Sequence, residues 1–346
     1  MGDPQAPLRK FLEVLDRRGL LAPTGRLRAD VQLVSMGDHF DWGRSSERRE
    51  VSRQSTALFA WLCAHPPEQV IVLLGNHDLA RVCELHGWAG YAFDAALLSA
   101  QLAWREGVPD PAAERDFLRE YPMFPTAEVV ARDWASYEPH QSEWVSAAIE
   151  AGRVQLAHAA DARTLLLHAG LHLEQLEALG LGGVEALGDA PAQRLADRLN
   201  ALLRERWAQR GEGPLDLRPL HVPGSAAAGE GVGMFFHRAA HPTQLEGPKG
   251  RKFDPRRLPR RLVQVVGHVR HGKSRKLLGP WAEEEGAPVE DGPLRQLTVT
   301  DERVHYASGL REAPPDAAVM IFTDGGMQRT PAERYELFDL DSRRPA

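Results

Sequence analysis

The sequence is poor in cysteine, contains no long apolar run and has no excess of basic residues. Its two cysteines, Cys63 and Cys83, cannot build a disulfide framework and form no metal-binding spacing, which fits a reducing cytosol. No apolar run is long enough to span a membrane, and none near the start resembles a signal peptide, so we expect a cytoplasmic protein without a membrane partner. A formal net charge of −6 likewise gives no reason to expect nucleic acid as a partner.

What the sequence has is an alternation of strand and helix patterns. Its 346 residues are 43% hydrophobic and 26% charged, as in ordinary globular proteins. Apolar runs at 31–35 and 70–74 flank a helical pattern at 47–64, which predicts a β-α-β unit with parallel strands. Further strands are expected at 153–157, 164–167, 262–266, 294–299, 303–307, 318–323 and about 334–338. Short turns join the later strands, so we predict an α/β fold with a mixed second sheet.

Two segments interrupt this alternation within one predicted domain of residues 1–346. Residues 84–152 have helical patterns, and residues 172–260 combine one clear helix at 191–209 with a glycine-rich loop. We interpret the second segment as an insertion or lid over a site, because long excursions in compact domains tend to be functional. The stretch 249–276 holds eleven basic residues and one acid, which fits either a solvated face or an attractor of anionic substrate.

Polar residues follow four of the predicted strands. Asp38 and Asp41 follow 31–35, Asn76 and His77 follow 70–74, His168 follows 164–167, and His268 and His271 follow 262–266. Open α/β sheets bind ligands at the carboxyl ends of their strands, so we expect these side chains to share one site. Asp, Asn and His are suitable ligands for borderline divalent cations such as Mn²⁺, Fe²⁺ or Zn²⁺. The set is too large for one ion, whereas two ions that share a carboxylate would use it economically.

Asp3 stands before the first predicted helix, in the position of an acid that follows the first strand of such a fold. Only two residues precede it. Either that strand is absent or the chain begins further upstream. We favour the second alternative, because a sheet that lacks a strand exposes an edge.

Five short motifs occur in an order that resembles one family. They are Gly2-Asp3, Gly37-Asp38-x-x-Asp41, Gly75-Asn76-His77-Asp78, His168-Ala169-Gly170-Leu171 and Gly267-His268. The series, which runs from residue 2 to about residue 326, resembles that of the calcineurin-like metallophosphoesterases. Within them it is most similar to the phosphoprotein phosphatase and diadenosine tetraphosphate hydrolase branch. The resemblance implies a four-layer α/β/β/α sandwich with two mixed sheets and a dinuclear metal site at the strand ends.

The resemblance also implies a role for each matching residue. Asp3 and Gln5 would bind a first divalent cation, a second would be bound by Asn76, His168 and His268, and Asp38 would bridge the two. His77 would be the general acid, or would contact the leaving oxygen, and Asp41 would orient it. A hydroxide between the cations would attack the phosphorus of a phosphorylated substrate, either a phosphoprotein or a nucleotide-like small molecule. Manganese is the expected metal, with iron, zinc or magnesium as alternatives.

Two departures from the family's pattern concern the first cation and the substrate. Gln5 replaces a histidine, and its neutral, harder oxygen should weaken metal binding and favour Mn²⁺ or Mg²⁺. Trp42 replaces an arginine that grips phosphate in the phosphatase branch. We expect Arg44 or Arg238 to bind the substrate and supply the missing charge.

Two residues near strand ends remain ambiguous. His271 stands three residues after His268, whereas many relatives place the two histidines two apart. It is therefore either a ligand of the first cation or a plain surface histidine. Asp324 follows the strand at 318–323, and we interpret it as a turn residue because Gly325 and Gly326 come next.

Two rival hypotheses compete with a phosphoesterase. Residues 267–274 fit the phosphate-cradling pattern G-x-x-x-x-G-K-S, but that pattern requires a following helix. Gly279-Pro280 leaves room for barely one turn, so a nucleotide-binding loop is disfavoured. The second rival is a degenerate phosphoesterase that binds a phosphorylated ligand without turnover. Gln5 and Trp42 favour it, and the otherwise intact motifs oppose it.

Overall fold

The computed structural model describes residues 1–43, 45–105, 107–245, 250–282, 290–301 and 303–346. The α-helices in these ranges are α1 (Leu8–Asp16), α2 (Arg48–Cys63), α3 (Asn76–Ala80), α4 (Gly90–Ala103), α5 (Pro111–Glu120), α6 (Pro139–Glu150), α7 (Leu173–Ala178), α8 (Pro191–Gln209) and α9 (His271–Leu278). None of the helices in the described part is both long and apolar enough to cross a bilayer.

A small sheet contains three parallel strands in the order β1 (Leu33–Ser35), β2 (Val70–Leu73) and β3 (Val154–Gln155). Every residue of β2 is buried, which is why this segment is an unbroken apolar run rather than an alternating pattern. The helix α2 connects β1 to β2. The predicted β-α-β unit is therefore present.

A second sheet has six strands and is mixed. In chain order they are β4 (Ala157–Ala159), β5 (Thr164–Leu167), β6 (Val263–Val266), β7 (Arg295–Thr300), β8 (Arg303–Ser308) and β9 (Ala318–Phe322). Across the sheet the order is β8-β7-β9-β6-β5-β4. The central strands β5, β6 and β9 are parallel, whereas the remaining pairs are antiparallel. The carboxyl ends of these three central strands therefore lie along one edge.

Four two-stranded ribbons complete the strands of the described part. They are Trp104–Arg105 with Val108–Pro109, His221–Val222 with Val232–Gly233, Arg238–Ala239 with Lys252–Phe253, and Phe338–Asp339 with Arg344–Pro345. The last ribbon replaces the strand expected at about 334–338. That prediction was wrong in extent, because the N–H groups of Arg334 and Tyr335 bond back to the Pro331 carbonyl and form a turn.

Apolar side chains of both sheets meet in one cluster. Its members include Val34, Ile71 and Leu73 from the small sheet, and Leu166, Val265, Val319 and Ile321 from the large one. A second, larger cluster joins the sheets to the helices, with Phe11 of α1, Phe59 of α2 and Leu195 of α8 fully buried in it. Burial of this apolar area is the main term that holds sheets and helices together.

The first residues of the chain run between the ends of the two sheets. The Met1 nitrogen donates to the Val34 carbonyl at 2.9 Å, and the Met36 N–H donates to the Met1 carbonyl at 3.1 Å. Gly2 passes so close to the end of β9 that a Cβ atom would lie 2.0 Å from the carbonyl oxygen of Thr323. A glycine is required there, and Asp3 is thereby delivered to the strand ends.

The segment 84–152 contains the helices α4, α5 and α6 and one two-stranded ribbon, and it has an apolar cluster of its own. Trp88 stacks on Phe124 with ring centroids 4.7 Å apart, and Phe93 meets Tyr137 edge-on at 4.9 Å. A π-helical turn at Val129–Asp133 follows α5. This turn contributes to the wall of the cavity described below.

The helix α9 corrects one expectation. The sequence after Gly272 predicts barely one helical turn, whereas α9 has eight residues. It begins at His271, before that glycine, and ends where Gly279 adopts a left-handed backbone with φ of 52°. The expectation was wrong because it took the helix to begin only after the G-K-S residues.

Candidate metal centre

Four predicted residues from four strands meet at the shared edge of the sheets. Asn76 lies just beyond β2, His168 directly follows β5, and Asp38 and His268 follow β1 and β6 after short loops. The metal-binding atoms of Asp38, His168 and His268 all lie within 4.8 Å of one another. Consecutive members of this group of four are about 40 to 100 residues apart in the chain, so the arrangement depends on the whole fold.

The imidazole of His168 is the centre of this group. Its Nδ1 donates to the Met36 carbonyl at 2.9 Å, which fixes the ring and turns Nε2 towards the other ligands. That Nε2 lies 3.0 Å from Asn76 Oδ1, 3.1 Å from His268 Nδ1 and 3.4 Å from Asp38 Oδ2. Four atoms, each able to donate a lone pair, thus lie close together. Such a set of nitrogen and oxygen donors is suitable for a divalent cation.

The electrostatics of the group favour a positive charge. Burial would lower the pKa of His168, but Asp38 and Asp3 outweigh it and raise the pKa to about 9. Burial would raise the pKa of Asp38, but His168 and His77 hold it well below its ordinary value. The field that stabilises a proton here would also stabilise a metal cation. The ring of His268 faces the group through Nδ1, and its Nε2 is buried without a hydrogen-bond partner among the described residues.

A second set of oxygen donors adjoins the first. Both carboxylate oxygens of Asp3 accept the His268 N–H, at 2.8 and 3.0 Å. The amide nitrogen of Gln5 donates to the Phe40 carbonyl at 3.2 Å, so its Oε1 remains available as a ligand. Asp3, Gln5 and Asp38 line one cavity of about 500 Å³. Their chemistry fits an oxygen-rich cation position, the first one expected from the sequence, beside the position around His168.

Asp78 ties together the two loops that carry Asp38 and Asn76. Its carboxylate is fully buried and accepts the N–H groups of Asp38 (2.9 Å), His39 (2.9 Å) and Gly75 (2.8 Å). The loops approach so closely that a Cβ atom on Gly37, whose φ is 91°, would lie 2.5 Å from the Gly75 nitrogen. No role was predicted for Asp78 from the sequence. Its position in the same short motif as Asn76 could have indicated that it belongs to the site.

His77 is held at the cavity by a carboxylate that is itself held by a buried arginine. Its Nδ1 lies 2.9 Å from Asp41 Oδ2, and Arg81 donates to both oxygens of Asp41 at 2.6 and 2.7 Å. Burial would lower the pKa of His77, but Asp38 and Asp41 outweigh it and raise the pKa to about 10. The His77 Nε2 lies 3.9 Å from Asp38 Oδ2, beside the ligand set. Sequence reasoning missed Arg81, whose spacing of four residues from His77 on a helix was the available signal.

Three of the site residues have unusual backbone conformations. Asp38, Asp41 and His268 have positive φ angles of 55°, 62° and 62°. Such left-handed conformations are costly for residues other than glycine and tend to occur at functional sites. The hydrogen bonds from the Asp38 and His268 N–H groups to Asp78 and Asp3 hold two of them in place.

Basic residues also line the cavity. They are Arg132, Arg238, Arg251, Arg270 and Lys273, so part of the basic stretch 249–276 faces the site. Arg132 is paired with Glu128 and Asp133, and Arg251 with Glu230, and these acids line the same cavity. Burial and the neighbouring Arg251 lower the pKa of Arg238 to about 10, which still leaves its guanidinium charged at neutral pH. Arg44 lies outside the described residues. Trp42 donates its indole N–H to Ser55 at 2.9 Å and brings no charge to the site.

The structure does not bring His271 to this cavity. Its Nδ1 lies 3.1 Å from the Glu290 carbonyl, and its ring meets Tyr306 edge-on at 6.0 Å. Residues two apart on a helix point to nearly opposite sides, and it is Lys273 that lines the cavity from α9. His271 is therefore not among the ligands that the geometry supports, whereas Asp324, interpreted from the sequence as a turn residue, does line the cavity.

A further group of possible ligands includes Glu84, which also lines the cavity. Metal-binding atoms of Cys83, Glu84 and His221 also lie within 4.8 Å of one another. Here the two oxygens of Glu84 lie 3.1 and 3.2 Å from His221 Nε2. This contact already gives the carboxylate a partner, in contrast to the converging lone pairs around His168.

Comparison with known proteins agrees with the geometry. The family model described as calcineurin-like phosphoesterase matches residues 1–249, which is more than two thirds of the chain. Searches of curated proteins and of solved structures give no match. Members of this family hydrolyse phosphoesters with divalent metal ions in a dinuclear site. On the matched family model we conclude that the chain belongs to the calcineurin-like phosphoesterase family and is a phosphoesterase.

Proposed function

We propose that this phosphoesterase acts through two divalent cations at the strand ends. The first cation would be held by Asp3, Gln5 and Asp38, and the second by Asp38, Asn76, His168 and His268. The observation that carries this proposal is the convergence of Asn76, His268 and Asp38 on His168 Nε2, at 3.0 to 3.4 Å. The apolar cluster shared by both sheets supports the four-layer arrangement on which such an edge depends.

When bound, the cations supply a strongly activated water nucleophile and neutralise charge on the phosphate. Asp38 would bind both cations as a carboxylate, and His168 and His77 already hold its pKa below its ordinary value. Asp38 and Asp41 outweigh burial and raise the pKa of His77, which favours the protonated ring that can act as an acid. As the bond between phosphorus and the leaving oxygen breaks, His77 donates the Nε2 proton to that oxygen. Asp41 keeps the ring in place through Nδ1.

Arg238 is the residue that we propose to grip the phosphate in place of the arginine replaced by Trp42. Within the described residues its guanidinium makes one hydrogen bond, at 3.3 Å to the Phe236 carbonyl. Most of its five donors are therefore available to phosphate oxygens. The substrate is then a phosphorylated protein or a nucleotide-like small molecule, as in the phosphoprotein phosphatase and diadenosine tetraphosphate hydrolase branch. Oxygen donors at Asp3 and Gln5 favour manganese or magnesium at the first position.

The test is hydrolysis of p-nitrophenyl phosphate and bis-p-nitrophenyl phosphate by metal-depleted protein across a Mn²⁺ titration. We expect turnover that rises with Mn²⁺ and is lost in Asp38→Asn. The matched control is Asp30→Asn, since Asp30 is an exposed aspartate that pairs with Arg28 away from the cavity.

The choice of substrate carries further information. Preferred cleavage of the monoester supports a phosphatase with Arg238 as its phosphate grip. Preferred cleavage of the diester supports a dinucleotide or phosphodiester substrate. Cleavage of neither compound by folded, Mn²⁺-loaded protein would contradict general phosphoester turnover and favour ligand binding without hydrolysis.

A further inference from the structure

Asp324 occupies the same place on β9 that His268 occupies on β6. The two strands are parallel neighbours, and Val266 is paired with Phe322. Asp324 and His268 each stand two residues beyond that pair. On the other side of β6, Leu167 is paired with Val266, and His168 follows it directly. Three adjacent strands thus present His168, His268 and Asp324 at one edge.

Main-chain contacts press Asp324 against the segment that carries Asp3. The Thr323 N–H and hydroxyl both donate to the Val266 carbonyl, at 2.7 and 2.9 Å. A Cβ atom on Gly2 would lie 2.7 Å from the Asp324 nitrogen, so the two backbones are in direct contact. Asp324 lines the cavity with Asp3 and Gln5, and it lines an adjoining cavity of about 240 Å³ with the same two residues.

The carboxylate of Asp324 is buried with no cationic side chain in contact, although the charges of Arg295 and Arg270 act on it from farther away. The residue is only 7% exposed, and its Oδ1 accepts the Gly326 N–H at 2.9 Å. Among the described residues, no lysine, arginine or histidine nitrogen lies within 4.0 Å of its oxygens. Arg295 donates at 2.6 Å to its main-chain carbonyl instead. Burying an ionised carboxylate with no cationic group in contact is costly, so this arrangement favours a cation beside it.

The first cation position lacks the histidines that the family pattern supplies. Gln5 offers only a neutral amide oxygen, and His271 is turned towards Tyr306 and Glu290. Asp3, Gln5 and Asp38 alone would leave that cation with three ligands from the protein. An additional carboxylate would restore both the ligand number and the charge.

We propose that Asp324 is a ligand of the first cation, in the place left by the missing histidines. This inference rests on the proposed function, because it requires a cation at Asp3 and Gln5. An aspartate in place of an imidazole makes the position an all-oxygen one. Such a position prefers manganese or magnesium over zinc, whereas the position around His168 and His268 keeps its nitrogen donors.

The test counts bound ions and does not depend on turnover. Metal-depleted wild-type protein and the variants Asp324→Asn and Asp324→Ala are dialysed against Mn²⁺, and bound metal is measured by elemental analysis and calorimetric titration. Asp324→Asn keeps an oxygen that can accept the Gly326 N–H, so it removes the charge but not the turn. Asp324→Ala removes both. The matched control is Asp291→Asn, because Asp291 lies near Arg270 but does not line the cavity.

We expect two bound Mn²⁺ ions in the wild type and in Asp291→Asn. Both Asp324 variants should keep one ion and bind the other at least about tenfold more weakly, as expected for loss of a charged ligand contact. Two ions bound with unchanged affinity by Asp324→Asn and Asp324→Ala would overturn the inference while leaving the proposed function intact. A wild type that binds fewer than two ions would instead overturn the two-cation proposal itself. Circular dichroism of the metal-free variants confirms that each is folded, and if Asp324→Ala is not, Asp324→Asn decides.

Discussion

The two halves of the candidate site are held in different ways. The half on the small sheet, with Asp38, Asn76 and His77, depends on buried side chains. Asp78 accepts three N–H groups from its loops, and Arg81 clamps Asp41 behind His77. The half on the large sheet, with His168, His268 and Asp324, depends instead on the pairing of three adjacent strands.

The comparison shows that metal-binding side chains can be held in place either by neighbouring side chains or by the order of strands in a sheet. On the small sheet, one buried charge holds another, so loss of a single side chain leaves an uncompensated charge. On the large sheet, the hydrogen bonds that the buried Arg295 makes within the described residues go to the main-chain carbonyls of Val269 and Asp324, at 2.9 and 2.6 Å. Loss of that side chain leaves two neutral acceptors and one carboxylate, Asp324, on which its charge acted from a distance. The two halves should therefore differ in how they respond to substitution.

The largest expected effect comes from the residue that joins the halves. Asp38→Asn should lower kcat in saturating Mn²⁺ by about a thousandfold or more, because several kcal/mol of charge stabilisation is lost with the bridging carboxylate. The variant should stay folded, since asparagine retains an oxygen to accept the His77 N–H that Asp38 accepts at 2.9 Å. Turnover within tenfold of the wild type in a folded variant would show that the halves do not share this residue.

The next largest effect is expected from a substitution that changes only the half of the site on the small sheet. His77→Asn should lower kcat by about a hundredfold, near the lower end of the range for a general acid. The loss should be larger for phenyl phosphate than for p-nitrophenyl phosphate, because the poorer leaving group needs the proton more. Equal losses on both substrates would assign His77 to binding rather than to proton donation.

A pair of arginine variants sharpens the comparison through stability. Arg81→Met should lower the free energy of unfolding by about 3–5 kcal/mol, because the buried Asp41 loses its guanidinium partner and the buried Gln141 loses two donors. Arg295→Met should cost only about 1–3 kcal/mol, since it leaves carbonyl acceptors without donors. Urea denaturation of both proteins at neutral pH measures the difference. Equal losses would mean that the halves are held by similar forces.

The pH dependence of the Arg81 variant follows from Asp41. Burial would raise the pKa of Asp41, but Arg81 outweighs it and holds the pKa below its ordinary value in the folded protein. This pair therefore stabilises the fold above the unfolded-state pKa of about 4, and its contribution is lost as the pH falls below that value. The stability gap between wild type and Arg81→Met should accordingly narrow in acid. A gap that is constant from neutral pH to acid would contradict this origin.

The smallest effect is expected at His271. Its ring contacts Tyr306 and the Glu290 carbonyl and lies outside the cavity, so His271→Ala should change kcat and bound metal by less than about twofold, as for a residue that touches neither ligand nor substrate. Metal analysis and turnover of the same preparation measure both quantities. Loss of one bound ion would restore His271 as a ligand and weaken the case for Asp324.

The two halves also differ in how well the sequence predicts them. Asp38, Asp41, Asn76 and His77 stand in short motifs after buried strands, so their common location follows from local patterns and one β-α-β unit. The same reason made three features of the fold predictable: the fold class, the bounds of α8 and the mixed sheet. Hydrophobic periodicity, and the glycine and proline residues that end helices and strands, are local signals.

The large-sheet half could be predicted only in part. His168 and His268 follow apolar runs, but the choice between His271 and Asp324 depends on strand order and on where α9 begins. β9 lies more than fifty residues after β6 in the chain, and no local pattern states that the two are neighbours. Arg81 stands four residues after His77, but its partner Asp41 lies 40 residues earlier in the chain, so its role becomes clear only in the folded protein.

The most direct test of the account is a crystal structure of the protein grown with Mn²⁺, with the ions located by anomalous scattering. We predict two peaks about 3.5–4 Å apart, with Asp38 between them, one beside Asp3 and Asp324 and the other beside His168 and His268. No peak at this edge of the sheets, or a single peak at Cys83, Glu84 and His221, would contradict the claim that the two halves form one metal centre.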